Sequence, residues 1–210
     1  MTQLAARLAT VPVVVAILLT GLWFFAGRLT NDFATSGVLT AAWFAVAGAA
    51  ALFVARRRRM LAVPVVAAYL LTAGGASAYL AWSTLRDTVV NERIVSAMPG
   101  SGNRVLASGS FTSGEHRTTG VARVIRLRLA GRELTLDLRT SAGPDLRVYL
   151  APRDGANVGD HVDLGGLKGN IGTQQYPIPA GTDLGRYTAV VVYCRAFSAP
   201  FGQAVLRPPA

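Results

Sequence analysis

The stretch Arg56–Trp82 reads RRRRMLAVPVVAAYLLTAGGASAYLAW. It sets four consecutive arginines before an uncharged apolar run, Met60–Trp82. A helix of about 20 apolar residues crosses the hydrocarbon core of a bilayer, and within lipid only a helix satisfies its own backbone polar groups. Met60–Trp82 is therefore expected to span a membrane. Short loops rich in Arg and Lys stay on the cytoplasmic side, so Arg56–Arg59 is expected inside and everything after Trp82 outside.

Toward the amino terminus, Leu8–Ala26 and Val38–Ala55 also carry no charge. The expectation is an anchor over residues 1–82 with three helices, at about 8–27, 38–55 and 60–82. The connection Gly27–Gly37 holds Arg28 and Asp32 and is neutral, which suits the outer side. The amino terminus, with Arg7, is then cytoplasmic. Pro12 and Pro64 are expected in the first turns of their helices, where a missing N–H costs little. Trp23, Trp43, Tyr79 and Trp82 suit an interfacial aromatic belt. The first run is long for a signal peptide and carries Trp23, Phe24 and Phe25 where small residues would precede cleavage. Ala47, Ala51 and Ala55, and Gly74 and Ala78, recur at a spacing that suits close helix contact. With no Asp, Glu, Lys, Arg or His in the three cores, the helices read as an anchor rather than a transporter or proton relay.

Beyond Trp82, Ser83–Met98 reads STLRDTVVNERIVSAM, with Leu85, Val89, Val90, Ile94 and Met98 near helical spacing. The third helix is expected to continue as an amphipathic stalk. Pro99-Gly100-Ser101-Gly102-Asn103 ends it with turn and linker chemistry. Residues 83–103 are thus a juxtamembrane stalk and linker, and 104–210 a separate domain.

In that domain the period changes to two. Val121, Arg123, Ile125, Leu127 and Leu129 interleave with Ala122, Val124, Arg126 and Arg128, and Leu134–Arg139 alternates LTLDLR. Such runs are half-buried strands. Arg147–Leu150 follows a Gly143-Pro144-Asp145 turn signal. Gln174–Ile178, Tyr187–Cys194 and Ala204–Leu206 add further strands, the second a continuous apolar run fit for a central position. Seven or eight short strands with frequent turns argue for an all-β, sandwich-like or barrel fold. The fold class is therefore N-terminal transmembrane helices followed by a C-terminal all-β domain.

The net charge of +10 invites a nucleic-acid reading. Four of those charges are Arg56–Arg59, between apolar helices. After Trp82 there are 15 Lys and Arg against 10 Asp and Glu, scattered as on the wet face of a sheet. No nucleic-acid partner is expected; a weak attraction to anionic lipid headgroups or cell-wall polymers fits the balance. The bias toward Arg, Ala and Gly, with a single Lys, points to a GC-rich bacterial genome.

Three blocks carry a resemblance: GPDLRVYLAP (Gly143–Pro152), LGGLKGNIGTQQYPIP (Leu164–Pro179) and YTAVVVYCRAFSAPFGQAVL (Tyr187–Leu206). In this order they resemble the DM-thirteen domain, a family labelled as electron transfer, which bacteria carry on membrane anchors. The pattern F-x4-H-x3-G, Phe111–Gly120, resembles its opening strands. The likeness covers about Arg104–Leu206. It implies that Cys194 stands at the family's characteristic single cysteine, proposed as a redox thiol or as an attachment point for haem or another prosthetic group. His116 matches a family position as well, which makes it a candidate cofactor ligand.

The residues themselves bound these roles. Cys194 is the only cysteine, so an intrachain disulfide and a CxxC metal motif are both excluded. A thiolate there could be stabilised by Arg195, Lys168 or Arg147, whereas a buried cysteine acts as a small hydrophobe. His116 and His161 are the only histidines. No His or Met follows Cys194, which excludes a blue-copper site, and no CxxCH exists for c-type haem. His161 sits in a polar loop and is expected to be exposed. Gly165–Gly172 lacks the phosphate-loop spacing and is expected to form a hairpin with positive φ angles. Asp145 reads as a turn residue. No Ser/His/Asp order or paired carboxylates argue for a hydrolase.

The expected function is a membrane-anchored extracytoplasmic domain with a redox or electron-transfer role centred on Cys194. The alternative is a non-catalytic cell-surface module that binds a ligand. The expected partners are the lipid bilayer and either an extracytoplasmic redox partner or a cell-surface ligand.

Overall fold

The computed structural model describes residues 2–93, 95–97, 101–129, 131–153 and 159–209. The chain divides into two compact units, Met1–Ser83 with Ala196–Ser198, and Thr84–Arg195 with Ala199–Ala210.

The first unit is built on three helices: α1 (Thr2–Gly27), α2 (Phe33–Arg57) and α3 (Arg59–Leu85). Each is long and apolar enough to cross a membrane. Asp32 caps α2, accepting from the Thr35 N–H at 2.6 Å. Arg56 and Arg57 fill the last turn of α2, where positive charge complements the helix dipole, and Arg58 alone separates α2 from α3. Because α1 begins at Thr2, Pro12 lies inside the helix rather than in its first turn. Glycine allows the close approaches. A Cβ on Gly21 would meet the Trp43 indole at 2.0 Å, and one on Gly48 would meet the Tyr69 hydroxyl at 2.7 Å. Tyr69 donates to the Phe44 carbonyl at 2.8 Å.

Helix α3 ends at Leu85. The stalk expected to continue it gives instead a short strand, β1 (Val89–Asn91), paired in parallel with β7 (Ile171–Ile178). Backbone pairing prevails over helical spacing here because the β7 edge offers unpaired N–H and C=O groups. Ile94, Met98, Pro99 and Gly100 lie outside the described residues.

The other strands are β2 (Arg104–Ser113), β3 (Thr119–Arg126), β4 (Arg132–Arg139), β5 (Leu146–Ala151), β6 (Val162–Gly166), β8 (Ala189–Cys194) and β9 (Ala199–Val205). They form one nine-stranded, mostly antiparallel sheet in the order β1-β7-β4-β3-β2-β9-β8-β5-β6, curled into a half-barrel. The domain is all-β as its period-two pattern requires. Strand β2 makes the sheet continuous. Its first part pairs with β3, and Phe111–Ser113 pair with β9.

The inner face follows from alternation. Leu134, Leu136 and Leu138 of β4 are buried while Asp137 and Arg139 are exposed. Val148 and Leu150 of β5, Val190 and Val192 of β8, and Phe201 of β9 complete the core. Strand β3 stops at Arg126. Leu127 and Leu129 belong to the turn closed by the Leu127 N–H on the Gly131 carbonyl, and Leu129 is 89% exposed.

The glycine-rich segment departs from the expected hairpin. Gly165 and Gly172 do take positive φ, 124° and 107°. However, β6 and β7 stand near opposite ends of the strand order. Only Leu167–Asn170 join them, and each residue reaches about 3.5 Å at most. The sheet must therefore curl until its two ends approach. A Cβ on Gly172 would lie 2.2 Å from the Val90 carbonyl oxygen, so glycine there also admits β1.

Candidate functional site

Cys194 is the last residue of β8. It is flanked in register by Leu146 of β5 and Ala199 of β9, and it is 0% exposed. Paired residues share a face and neighbours in a strand alternate. Cys194 therefore points into the core with Leu146, Val148, Val190 and Val192, while Tyr193, Arg147 and Tyr149 lie on the outer face. The chain then turns through Arg195–Ser198 into β9, with Ser198 at a φ of 50°. The Arg195 N–H donates to the Asp145 carbonyl at 2.9 Å.

The three cations nominated for Cys194 are engaged elsewhere. Arg195 Nε donates to Asp145 at 2.7 Å, Arg147 to Asp163 at 2.6 Å, and Lys168 to Glu92 at 2.6 Å. Asp145 is thus an ion-pair partner as well as a turn residue, and it holds the Arg195 guanidinium above its ordinary pKa. Burial acts most strongly on Asp163 and pushes it up. The hydrogen bonds from Arg147 and the Gly165 N–H, with the charges of Arg147 and His161, outweigh it and leave Asp163 lowered.

His116 occupies the turn between β2 and β3. There the Gly114 and Glu115 N–H groups donate to Phe201 and Pro200 carbonyls at 2.9 Å each. Pro200 faces Tyr193 in register, so the turn that carries His116 is bonded to β9 near the end of β8 that carries Cys194, with β9 between them. Its ring packs on Phe201, centroids 4.0 Å apart. Burial lowers its pKa, and Glu115 works against that. Gly120, which closes the F-x4-H-x3-G pattern, has a φ of 126°, and a Cβ there would lie 2.0 Å from the Asp137 carbonyl oxygen.

His161 is separated from Cys194 by the sheet itself. Its ring lies on Tyr149, 4.0 Å away on the outer face, and it is half-buried rather than exposed. Cys194 and His161 therefore cannot ligate one ion. Among the described residues no group of three or more His, Cys, Asp or Glu could hold a metal. A haem or metal ligand must present its sulfur to the group it binds, whereas Cys194 is 0% exposed between Leu146 of β5 and Ala199 of β9. The residues around Cys194 do not fit a haem or a metal ion in this arrangement.

Several polar residues that sequence reading passed over hold the site together. Thr118 Oγ1 lies 2.8 Å from Thr140 Oγ1 and 2.9 Å from the Phe201 carbonyl. Asn170 Nδ2 donates to the Thr140 carbonyl at 3.0 Å and to Asp87 at 2.7 Å. These bonds link the His116 turn, the glycine-rich crossing and the segment before β1. An open groove of about 550 Å³ lies between β2 and the carboxyl-terminal segment, lined by Ser108, Ser110, Thr112, Val121, Arg207 and Pro209 among others.

Comparison with known proteins decides the domain's kinship. The family model described as Electron transfer DM13 matches residues 110–206. That segment is a DM13 domain. The match begins just before Phe111, covers β3–β9 complete, and includes His116 and Cys194. No curated protein and no solved structure matches the chain.

Proposed function

We propose that the chain tethers its DM13 domain to the outer face of a membrane, where the domain transfers electrons through Cys194. The observation that carries this is the match of 110–206 to an electron-transfer family. The three apolar helices supply the tether, and Arg56–Arg59 supply the orientation. With a single thiol, the step open to Cys194 is exchange with an external disulfide. The Cys194 thiol loses its proton to solvent and attacks one sulfur; a mixed disulfide forms, and the other sulfur leaves as a thiolate. Cys194 is oxidised and half of the external disulfide is reduced. The thiol is 0% exposed in the closed fold, so the exchange requires a local opening of the domain around β8.

A second reading has its own support. The full burial of Cys194 suits a packing residue, and the groove beside Ser108, Ser110, Thr112 and Arg207 suits a ligand. On that reading the domain is a non-catalytic cell-surface module. The two separate on the purified full chain in detergent. Thiol titration before and after denaturation, an absorption spectrum and metal analysis are recorded for the wild type and Cys194→Ser. A thiol that reacts in the folded chain supports electron transfer. A colourless chain whose thiol reacts only after unfolding leaves the display module.

A further inference from the structure

Tyr149 and Tyr193 share the outer face of the β5–β8 pair, the face opposite Cys194. Their ring centroids are 5.5 Å apart, with planes inclined by 33°. His161 lies over Tyr149 at 4.0 Å, inclined by 30°. Tyr149 is 3% exposed and packs with Ala151 and Val191, whereas Tyr193 and His161 are half-buried. The three rings make a continuous contact from a buried phenol to the surface. Burial holds Tyr149 above the ordinary phenol pKa, and Asp163 adds to this, so the phenol is protonated at neutral pH. Aromatic packing alone would be served by phenylalanine. Here two phenols and an imidazole meet instead, each able to carry a proton.

We propose that Tyr149 and Tyr193 form a one-electron redox site, a tyrosine pair through which a partner's oxidant draws an electron from the domain. The proposal rests on the electron-transfer reading of the DM13 domain but does not use Cys194. In the first step Tyr193 gives one electron to a one-electron oxidant, such as the oxidised metal centre of a partner protein. Its O–H bond breaks, the proton passes to solvent water, and a neutral phenoxyl radical remains. In the second step Tyr149 yields an electron and its phenolic proton while Tyr193 regains both. The net movement is one hydrogen atom, and the radical rests on the buried ring.

The test uses the full chain in detergent micelles, with flash-generated tris(bipyridine)ruthenium(III) as the oxidant. The radical is read by transient absorption and electron paramagnetic resonance. Tyr149→Phe and Tyr193→Phe keep the ring packing, and circular dichroism confirms that each variant is folded. The expected result is a tyrosyl radical that loses most of its yield in either variant and disappears in the double variant. It should persist in Tyr187→Phe, which removes a tyrosine outside the cluster, and in Cys194→Ser. A folded double variant with wild-type radical yield and lifetime would overturn the site. So would a radical abolished by Tyr187→Phe alone. A signal lost only in Cys194→Ser overturns the tyrosine pair and leaves the thiol reading standing.

Discussion

The Tyr176 hydroxyl donates to Gln174 Oε1 at 2.7 Å, and both side chains are buried. Gln174 completes its bonding on the glycine-rich crossing: its Oε1 accepts from the Lys168 N–H at 2.9 Å, and its Nε2 donates to the Gly169 carbonyl at 2.8 Å. Burial pushes the Tyr176 phenol up to about 12, so it remains a donor throughout the neutral range. One amide side chain thus pins the segment that lets the sheet curl.

Gln174→Leu is expected to destabilise the chain by about 1–3 kcal/mol, the usual consequence of stranding buried hydrogen-bonding groups. Thermal melting of the full chain in detergent, followed by near-ultraviolet circular dichroism, checks this. An unchanged melting temperature would mean that the crossing is held by other contacts.

Two glycines with positive φ should respond differently to alanine. Gly120 faces the Asp137 carbonyl across the β3–β4 ladder, whereas a Cβ on Gly131 meets nothing within 4 Å. Gly131→Ala is expected to cost about 1 kcal/mol through backbone strain alone. Gly120→Ala adds a steric clash and should cost several times more. Chemical denaturation of both variants gives the order, and equal losses would contradict it.

The latch between Glu92 and Lys168 sets an acid dependence. The Lys168 hydrogen bond, aided by the Gln175 N–H, holds the Glu92 carboxyl below its ordinary pKa. Its contribution is present above the unfolded-state value and is lost as pH falls through the folded one. Glu133 works the other way, because burial raises it. Its contribution is present below its unfolded-state value and is lost as pH rises through the folded one. Glu92→Gln should therefore flatten the acid limb of a stability-against-pH curve, while Glu133→Gln should raise stability near neutral pH. An acid limb unchanged in Glu92→Gln would show that the latch is too solvated to matter.

How much of this was legible beforehand varies with the range of the interaction. Arg56–Trp82 and Leu134–Arg139 reveal their elements because charge and period are local properties. Val89-Val90-Asn91 satisfies helical spacing as well as it satisfies a three-residue strand, and only the β7 edge decides between them. Gly165–Gly172 has hairpin chemistry, and nothing local shows that its flanking strands lie near opposite ends of a curled sheet. Gln174, Thr118 and Asn170 look like surface residues until their partners arrive from distant segments. Cys194 stood out as a candidate through family likeness. Its burial, and the sheet that separates it from His161, depend on the register of β5 with β8.

Sidedness is open to direct labelling. Leu129 is exposed in the β3–β4 turn. In a Cys194→Ser background, Leu129→Cys is expected to react with a membrane-impermeant maleimide on intact cells, and Arg58→Cys only after permeabilisation. The reverse pattern would invert the orientation inferred from Arg56–Arg59.

The proposed electron transfer through Cys194 is tested by mass spectrometry of the folded full chain in detergent after exposure to glutathione disulfide. The expected result is a single glutathione adduct that is absent in Cys194→Ser and removed by dithiothreitol. It should form faster in Arg195→Gln, where the tie to Asp145 is cut. A folded chain that stays unmodified in both backgrounds, while the denatured chain reacts, would contradict it.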